Sequence, residues 1–504
     1  MRAERPATVL ILGGGTAGWM AANLVAHRWG KLGTKVALVE SSEIGIVGVG
    51  EGSTPQLKHF FDTLGIAEAE WMPRCNATYK TGIAFRGWSD RPGHQSYFHP
   101  FPSDADSHTV PPFFYNCQAR RTGRDVPAHP DPFFLGTRLA AEARAPLGPA
   151  GAPRANYGYH FDAHLAGTTL REFALDRGVE HIDAKIASVE LDREGNVAAL
   201  LATDGRRLQA DFFLDASGFR SLIIEGALGV KHLSFAGNLF NDRAVVTPTP
   251  LSPSGPGVCT LATAKSAGWI WHIPLTNRIG NGYVYSSRYL DPEAAAAELR
   301  QHLGLGPEAE VRHLQLRVGR MERSWERNCL AIGLAQGFLE PLEATALHIV
   351  LTTVEGFLDT VDAQGLTGEA RNALNAEVAR RYEGIRDYIV CHYRTALRRD
   401  TEYWQDAAAL TDLSSSLRSV ITAWFTGADL VAEVAEQDIA GYYSAQSWHC
   451  MLAGYGNFPD PARLRPPGPD IRRVDLPAIE RFLAETAQRF PAHRDALAHF
   501  AAAA

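Results

Sequence analysis

The sequence predicts an α/β (α+β) fold: a Rossmann-like dinucleotide-binding domain, an inserted antiparallel sheet and a helical C-terminal region. Three observations predict it. Residues 8–40 read as strand, glycine turn, helix and second strand. Residues 235–315 alternate apolar and polar positions, the period of a half-buried sheet. From about residue 346 the apolar positions recur with helical spacing. A chain of 504 residues is long enough for ~2–3 domain-sized units.

The first element is residues 8–13, Thr-Val-Leu-Ile-Leu-Gly, apolar and β-prone enough to be a buried strand. Gly13, Gly15 and Gly18 then spell G-x-G-x-x-G, and residues 19–27 continue as helix. Glycines in such a turn let a pyrophosphate approach the backbone, and the helix start supplies free N–H groups and a positive dipole end. Thr16 and Ala17, inside the turn, are expected to share that contact. Residues 35–40 read as the second strand, ending in Glu40, 22 residues past Gly18. A carboxylate there accepts hydrogen bonds from a ribose. The competing reading is a glycine-rich turn of an ordinary α/β fold.

Composition narrows the partners. A net charge of −7 argues against nucleic acid as a main partner. No apolar run reaches membrane-spanning length, so no membrane association is expected. The N-terminal residues lead straight into the first strand with no hydrophobic leader or cleavage site, which predicts a cytoplasmic protein. The six cysteines are scattered, with no C-x-x-C pair, and read as free thiols. No His/Cys spacing suits a metal, and none is expected. Ten tryptophans and 10% aromatic residues hint at a site that handles flat rings, beside their ordinary role in cores.

Along the chain, residues 44–53 carry four glycines and read as a loop held against a ligand. A helix is expected over 55–64, one strand over 78–88, and an irregular insertion, mostly loop with short helices, over 89–157. An amphipathic helix is expected over 159–175. Strand-like runs follow at 181–189, 197–203 and 207–214, and residues 211–218 and 329–335 read as strands ending in small-residue turns. Helices are expected over 347–361, 369–390, 414–425 and 476–490, with residues 501–504 frayed. The expected division is a discontinuous nucleotide domain (1–88, 158–234, 316–345), substrate-side insertions carrying the second sheet (89–157, 235–315) and a helical region (346–504).

A nicotinamide dehydrogenase keeps its nucleotide fold in one contiguous run. Here the chain returns to it twice, with strands ending at Asp215-Ala-Ser-Gly218 and Ile332-Gly333. That pattern resembles the FAD-binding, GR2-type fold of the aromatic hydroxylase and oxidase group. It implies that Asp215 and Gly333 touch the cofactor.

Further motifs are more specific. Trp269-x-Trp271-x-Ile273-Pro274 resembles the W-x-W-x-I-P signature of flavin-dependent halogenases. Two indoles at i and i+2 share one face of a strand. They serve either as core packing or as a tunnel wall that keeps an organic substrate from the flavin and passes a small molecule. Gly337-Phe-Leu-Glu-Pro-Leu-Glu-Ala-Thr-Ala-Leu347 resembles the E-P-L-E-S-T-G segment of the tryptophan-halogenase group. Gly48-Val-Gly-Glu-Gly-Ser53 resembles its flavin-contacting G-V-G-E loop, which implies contacts from Val49 and Gly50. Thr78-Tyr-Lys-Thr-Gly82 matches the catalytic lysine segment. Residues 159–165, 283–287 and 317–320 also look like family sequence, so the resemblance runs from about residue 7 to about residue 400.

The resemblance implies a concrete chemistry. Reduced FAD, O2 and halide give hypohalous acid by way of a flavin hydroperoxide. The acid travels to Lys80, which hydrogen-bonds it or forms a haloamine, and the halogen adds to an electron-rich aromatic carbon. Glu343 is the catalytic carboxylate, and the backbone at Thr345 and Ala346 is the halide site. Taken alone, a lysine is more often a solvated surface charge, and Glu343 sits where an acid favours a helix start. No second nucleotide motif for NADH is visible, so a separate NADH-dependent flavin reductase is expected. A homodimer is among the assemblies expected.

On the substrate side, His99-Pro-Phe101 matches one wall of the family's indole sandwich. Tyr443 and Trp448, with Tyr442 beside them, offer rings for the other. Residues 437–450 contain no glutamate to hold a substrate ammonium. Indole, or an indole inside a larger molecule, is therefore expected rather than free tryptophan. The family's E-S-T-G reads Glu343-Ala-Thr-Ala346 here. Losing the serine hydroxyl and adding a Cβ in place of glycine are both expected to alter halide fit, and bromide, larger and easier to oxidise, is expected to be preferred over chloride. Two other classes compete: a flavin-dependent aromatic monooxygenase, and a non-catalytic FAD-binding protein.

Overall fold

A computed structural model describes residues 5–43, 50–469 and 471–501. Part of the glycine-rich loop and residues 502–504 of the expected frayed end lie outside the described residues. The chain forms two compact units, residues 1–77, 161–236 and 316–383 in the first and residues 78–160, 237–315 and 384–504 in the second.

The first unit is built on a six-stranded sheet. Its order is Trp325–Glu326, Cys329–Ala331, Phe212–Asp215, Thr8–Leu12, Lys35–Glu40, Glu180–Asp183. All pairs are parallel except the edge pair Trp325–Glu326 with Cys329–Ala331. Phe212, Phe213 and Leu214 are each fully buried, as expected of a strand covered on both faces. The helix Thr16–Trp29 makes the crossover between the first two strands, and helices Ala163–Asp176 and Ala346–Gln364 pack beside it. A three-stranded sheet, residues 186–208, packs Ile186, Val197 and Leu200 into one apolar cluster with Leu10, Leu12, Val39 and Phe213 of the six-stranded sheet.

The second unit is built on a seven-stranded sheet. Its order is Arg312–Gln315, Arg243–Thr249, Ile279–Tyr285, Gly268–Pro274, Thr260–Lys265, Gly82–Arg86, Ser96–Pro100. Only Thr260–Lys265 with Gly82–Arg86 is parallel. The helix Pro292–Leu303 covers one face, packing Ala295, Ala296 and Leu299 on Val245, Ile270 and Tyr283. Side chains alternate along a strand, so Trp269 and Trp271 point to the opposite face from Ile270.

The expected nucleotide strands and first helix are present. Several other boundaries differ, for local reasons. Residues 78–88 form two strands in two sheets, because Thr81 turns the chain: its amide donates to Val258 O at 2.8 Å and its carbonyl accepts from the Phe101 amide at 2.9 Å. The division expected at residue 88 therefore falls at 77. Residues 346–383, expected with the C-terminal helices, belong to the first unit. The run 159–175 begins as a strand, Gly158–Asp162, and becomes helix only after Asp162, whose carboxylate accepts the amides of His164 and Leu165. Residues 181–189 and 207–214 each divide between two sheets. The insertion 89–157 holds the strand Ser96–Pro100 and a 16-residue helix, Asp106–Arg121. Pro111 and Pro112 sit inside that helix and hide it from a propensity reading.

Candidate active site

In the first unit the glycine turn has one steric logic at three positions and another at the fourth. Gly13 has φ +117°, and a Cβ there would lie 2.2 Å from the Ala216 carbonyl oxygen. A Cβ on Gly18 would lie 1.9 Å from Gly13 O, and one on Gly14 would overlap the Glu40 carboxylate. These glycines let three chain segments close on one another. Gly15, at φ −71°, has no atom of the described residues within 4 Å of an added Cβ. That open room lies at the start of the helix Thr16–Trp29, which has no side-chain cap and no acid in its first turn. Room, free N–H groups and a positive dipole end fit a dinucleotide pyrophosphate.

The surrounding residues divide into those that fit a nucleotide and one that does not. Gly333, at φ +60°, brings a later turn against the helix start, where a Cβ would lie 2.9 Å from that of Ala17. The Thr16 hydroxyl lies 3.4 Å from the Ala163 carbonyl. Glu40 ends its strand with Oε1 3.0 Å from His181 Nε2 and 3.9 Å from Arg171. Asp215 departs from its expected role. Oδ1 accepts from the Ser217 amide at 3.0 Å and hydroxyl at 2.6 Å, and Oδ2 accepts from the amides of Ile223 and Ile224, each at 2.9 Å. The carboxylate is saturated by its own turn, so it shapes that turn rather than offering a contact to a cofactor.

Gly50 opens the short strand Gly50–Gly52, while Val49 lies outside the described residues. Glu51, next to Gly50, was not singled out by sequence, although it stands in the quoted loop. Burial first, then the charge of Asp162, push its carboxyl up to about 7. Glu343 closes the turn Pro341–Glu343 and is only 6% exposed. Thr345 precedes the 19-residue helix Ala346–Gln364, whose first turn carries no acid and no side-chain cap, so its N–H groups face an anion-favouring end. Ala346 is the first helical residue and does not have positive φ. The left-handed residue is Ala344, at φ +56°. Alanine at 346 therefore carries no left-handed backbone strain.

In the second unit Lys80 ends the strand Thr78–Lys80 and exposes none of its surface. Its Nζ stands 5.4 Å from the centre of the Phe101 ring, in cation–π range. Strand Gly158–Asp162 pairs with the lysine strand, setting His160 opposite Thr78 and Gly158 opposite Lys80. Burial, then the charges of Lys80, His493 and His272, hold His160 well below its ordinary range.

The expected ring walls are present as packed clusters. Trp269 and Trp271 lie 6.2 Å apart, inclined at 58°. Gly282 is the cross-strand partner of Trp271, and a Cβ there would lie 2.1 Å from its ring, so this glycine makes room for the indole. His99, Tyr443 and Trp448 meet through Tyr388, a residue that sequence reasoning missed. Tyr443 stacks on Tyr388 at 3.5 Å and 5°, Trp448 meets its edge at 4.8 Å, and His99 stands 6.1 Å away. Trp448 is 2% exposed and Tyr443 9%, so these rings pack on each other rather than forming an open wall. Tyr442 lies outside this stack, over Gly384. Tyr388 sits in a long helix with no motif around it, and only the tertiary structure reveals it.

Comparison with known proteins agrees with the geometry. Residues 8–465 match the tryptophan halogenase family. The tryptophan 6-halogenase SttH of Streptomyces toxytricini is 39% identical over 431 residues, covering 81% of this chain and 82% of that protein. The 7-chloro-L-tryptophan 6-halogenase KtzR of Kutzneria sp. (strain 744) is 35% identical, covering 97% and 99%. The solved structure of Xcc4156, a flavin-dependent halogenase from Xanthomonas campestris, superposes with a TM-score of 0.82 at 35% identity, covering 99% of each chain. A glycine turn with room at a helix start, a buried lysine and a W-x-W-x-I-P strand thus stand on a fold shared across nearly the whole length, and the chain belongs to the flavin-dependent tryptophan halogenase family of enzymes.

Proposed function

We propose that this enzyme uses reduced FAD, O2 and halide to halogenate indole or an indole carried in a larger molecule, with Lys80 and Glu343 as its catalytic residues. The observation that carries the reading is Lys80: an ammonium with no exposed surface, set on an aromatic ring. Burying a lysine is costly, and a chain that retains one has a use for it.

Gly13, Gly15, Thr16, Ala17, Gly18 and Gly333 hold the dinucleotide, and Glu40 takes its ribose. Bound there, reduced FAD supplies the electrons that turn O2 and halide into hypohalous acid. Thr345 and Ala346 offer helix-start amides to the halide. Lys80 donates a hydrogen bond to the oxidant and raises its electrophilicity, or carries its halogen as a haloamine. The Phe101 ring beside it excludes water, which lengthens the life of that oxidant. Glu343 stabilises the cationic adduct on the substrate ring, and loss of the displaced ring proton to a base restores aromaticity. His99 and Phe101 form one side of the substrate slot, with Tyr443, Trp448 and Tyr388 behind them. Trp269 and Trp271 wall the organic substrate off from the flavin.

Bromide is preferred over chloride because it is easier to oxidise and because Ala344 replaces a hydroxyl beside the halide amides. Reduced FAD comes from a separate NADH-dependent reductase in the cytoplasm. Mass spectrometry of products from reduced FAD, O2, indole and equal bromide and chloride tests the reading. A bromine isotope pattern supports it. Mainly chlorinated product rejects the halide preference, and a product heavier by one oxygen rejects halogenation in favour of monooxygenation.

A further inference from the structure

Two histidines flank the lysine strand and have no part in the chemistry above. His160 is fully buried. Its Nδ1 lies 3.1 Å from Thr78 Oγ1 and its Nε2 lies 3.0 Å from Thr260 Oγ1. The Thr78 hydroxyl is also 2.7 Å from the Pro274 carbonyl. A carbonyl can only accept, so the single Thr78 proton goes to Pro274. Nδ1 of His160 must then carry a hydrogen and donate it to Thr78, while the bare Nε2 accepts from Thr260. Pro274 is the last residue of the W-x-W-x-I-P strand, so this chain of hydrogen bonds ties that strand to the lysine strand.

His493, at the start of the helix His493–Ala501, is 1% exposed and repeats the pattern one residue along. Its Nε2 accepts the Tyr79 amide proton at 3.3 Å, and its Nδ1, 3.0 Å from the Pro256 carbonyl, must donate. Its own amide is fastened to Ala143 O at 2.8 Å. Both rings are therefore bound in the same Nδ1–H form; a second proton on His493 Nε2 would meet the Tyr79 N–H head-on, and one on His160 Nε2 would require the Thr260 hydroxyl to turn its own proton elsewhere. Burial holds His493 down to about 4, against a weaker pull upward from Pro256. The charged and titratable groups acting on His160 are Lys80, His493 and His272, and Arg86 in turn acts on His272.

We propose that His160 and His493 are positioning residues for Lys80: two neutral rings, locked as Nδ1–H tautomers, that fix the lysine strand and keep a second cation from its ammonium. This rests on the reading of Lys80 as the catalytic lysine. The C-terminal helix is then part of the lysine site, although the family motifs that first pointed to that site end far upstream of it.

The test compares His493→Leu, His493→Gln, His160→Leu and Lys80→Ala in the full-length enzyme with reduced FAD, bromide and indole. The readout is brominated product per flavin oxidised. Leucine can neither accept nor donate, so each leucine variant is expected to lose coupling at least tenfold more than it loses flavin oxidation. A glutamine amide can do both, so His493→Gln is expected to keep at least half the parent's coupling. Independently, nitrogen-15 NMR of histidine-labelled, cofactor-free protein is expected to show both rings neutral and Nδ1-protonated at pH 6. Leucine variants that couple like the parent, coupling that falls only in step with flavin oxidation, or an Nε2–H or charged ring at pH 6 would each overturn the proposal. Bromination by Lys80→Ala would instead overturn the reading of Lys80, so the two failures are distinguishable.

Discussion

The glycine turn and the lysine strand are both places where the chain crowds itself, but they are assembled in opposite ways. The turn from Gly13 to Gly18 draws its critical residues from one short stretch, with Ala216 and Glu40 as the main distant residues pressed on it. The lysine strand borrows from His160, Thr260, Pro274, Pro256 and His493, which span more than half of the sequence. The difference teaches that a phosphate site can be written locally in glycines. The strand that carries the buried lysine is instead fastened by hydrogen bonds that reach Thr78 and Tyr79 from distant segments.

The largest expected effect lies in the turn. Gly13→Ala places a Cβ 2.2 Å from backbone at φ +117°. Strain and overpacking together predict a loss of about 4 kcal/mol, read as a fall in denaturant midpoint. A loss under about 1 kcal/mol would mean the turn relaxes and the steric account is wrong. Next comes Asp215→Asn, which puts an amide donor where four hydrogen bonds converge on acceptors. Leaving buried amides unpaired predicts a loss of about 3 kcal/mol. If Asp215 served the cofactor instead, nucleotide affinity would collapse with stability unchanged.

How much of this was legible follows the same division. The strand Thr8–Leu12, the helix after it and Glu40 were readable because each signal sits within a few residues of the next. Lys80 and Glu343 were readable only through the resemblance of the segments around them. Tyr388 was not readable, since its partners Tyr443 and Trp448 stand in another segment and its own helix has no distinguishing pattern. Asp215 was assigned to the cofactor only through the resemblance, because the amides of Ile223 and Ile224 that bind it lie beyond the strand-end pattern. The strands at 78–86 were merged because Thr81 is bent by hydrogen bonds to Val258 and Phe101, neither of which a local window contains.

A smaller effect probes the lysine site by pH. The depressed His493, at about 4 in the folded chain, contributes stability that is full above its ordinary 6.5 and lost as pH falls toward 4. His493→Gln removes that dependence. Its thermal stability relative to the parent is expected to improve by about 2 kcal/mol between pH 7 and pH 4.5. A constant difference across that range would show that the ring is not held neutral.

The smallest stability effect is expected at Gly15→Ala, where no atom of the described residues lies within 4 Å of the new Cβ. The fold should change by less than about 0.5 kcal/mol. The open room over the helix start is lost, so FAD affinity measured by fluorescence titration should fall at least about tenfold, or 1.4 kcal/mol. Unchanged FAD affinity would show that the pyrophosphate does not lie there.

The central claim is that Lys80 delivers the halogen while the flavin-side chemistry proceeds without it. The direct measurement is product formed per flavin oxidised for Lys80→Ala beside the parent enzyme, with bromide, indole and a trap for free hypobromite. The account predicts that flavin oxidation continues, hypobromite appears in the trap and brominated indole is absent. Brominated indole formed by the alanine variant at the parent's rate and site would contradict it.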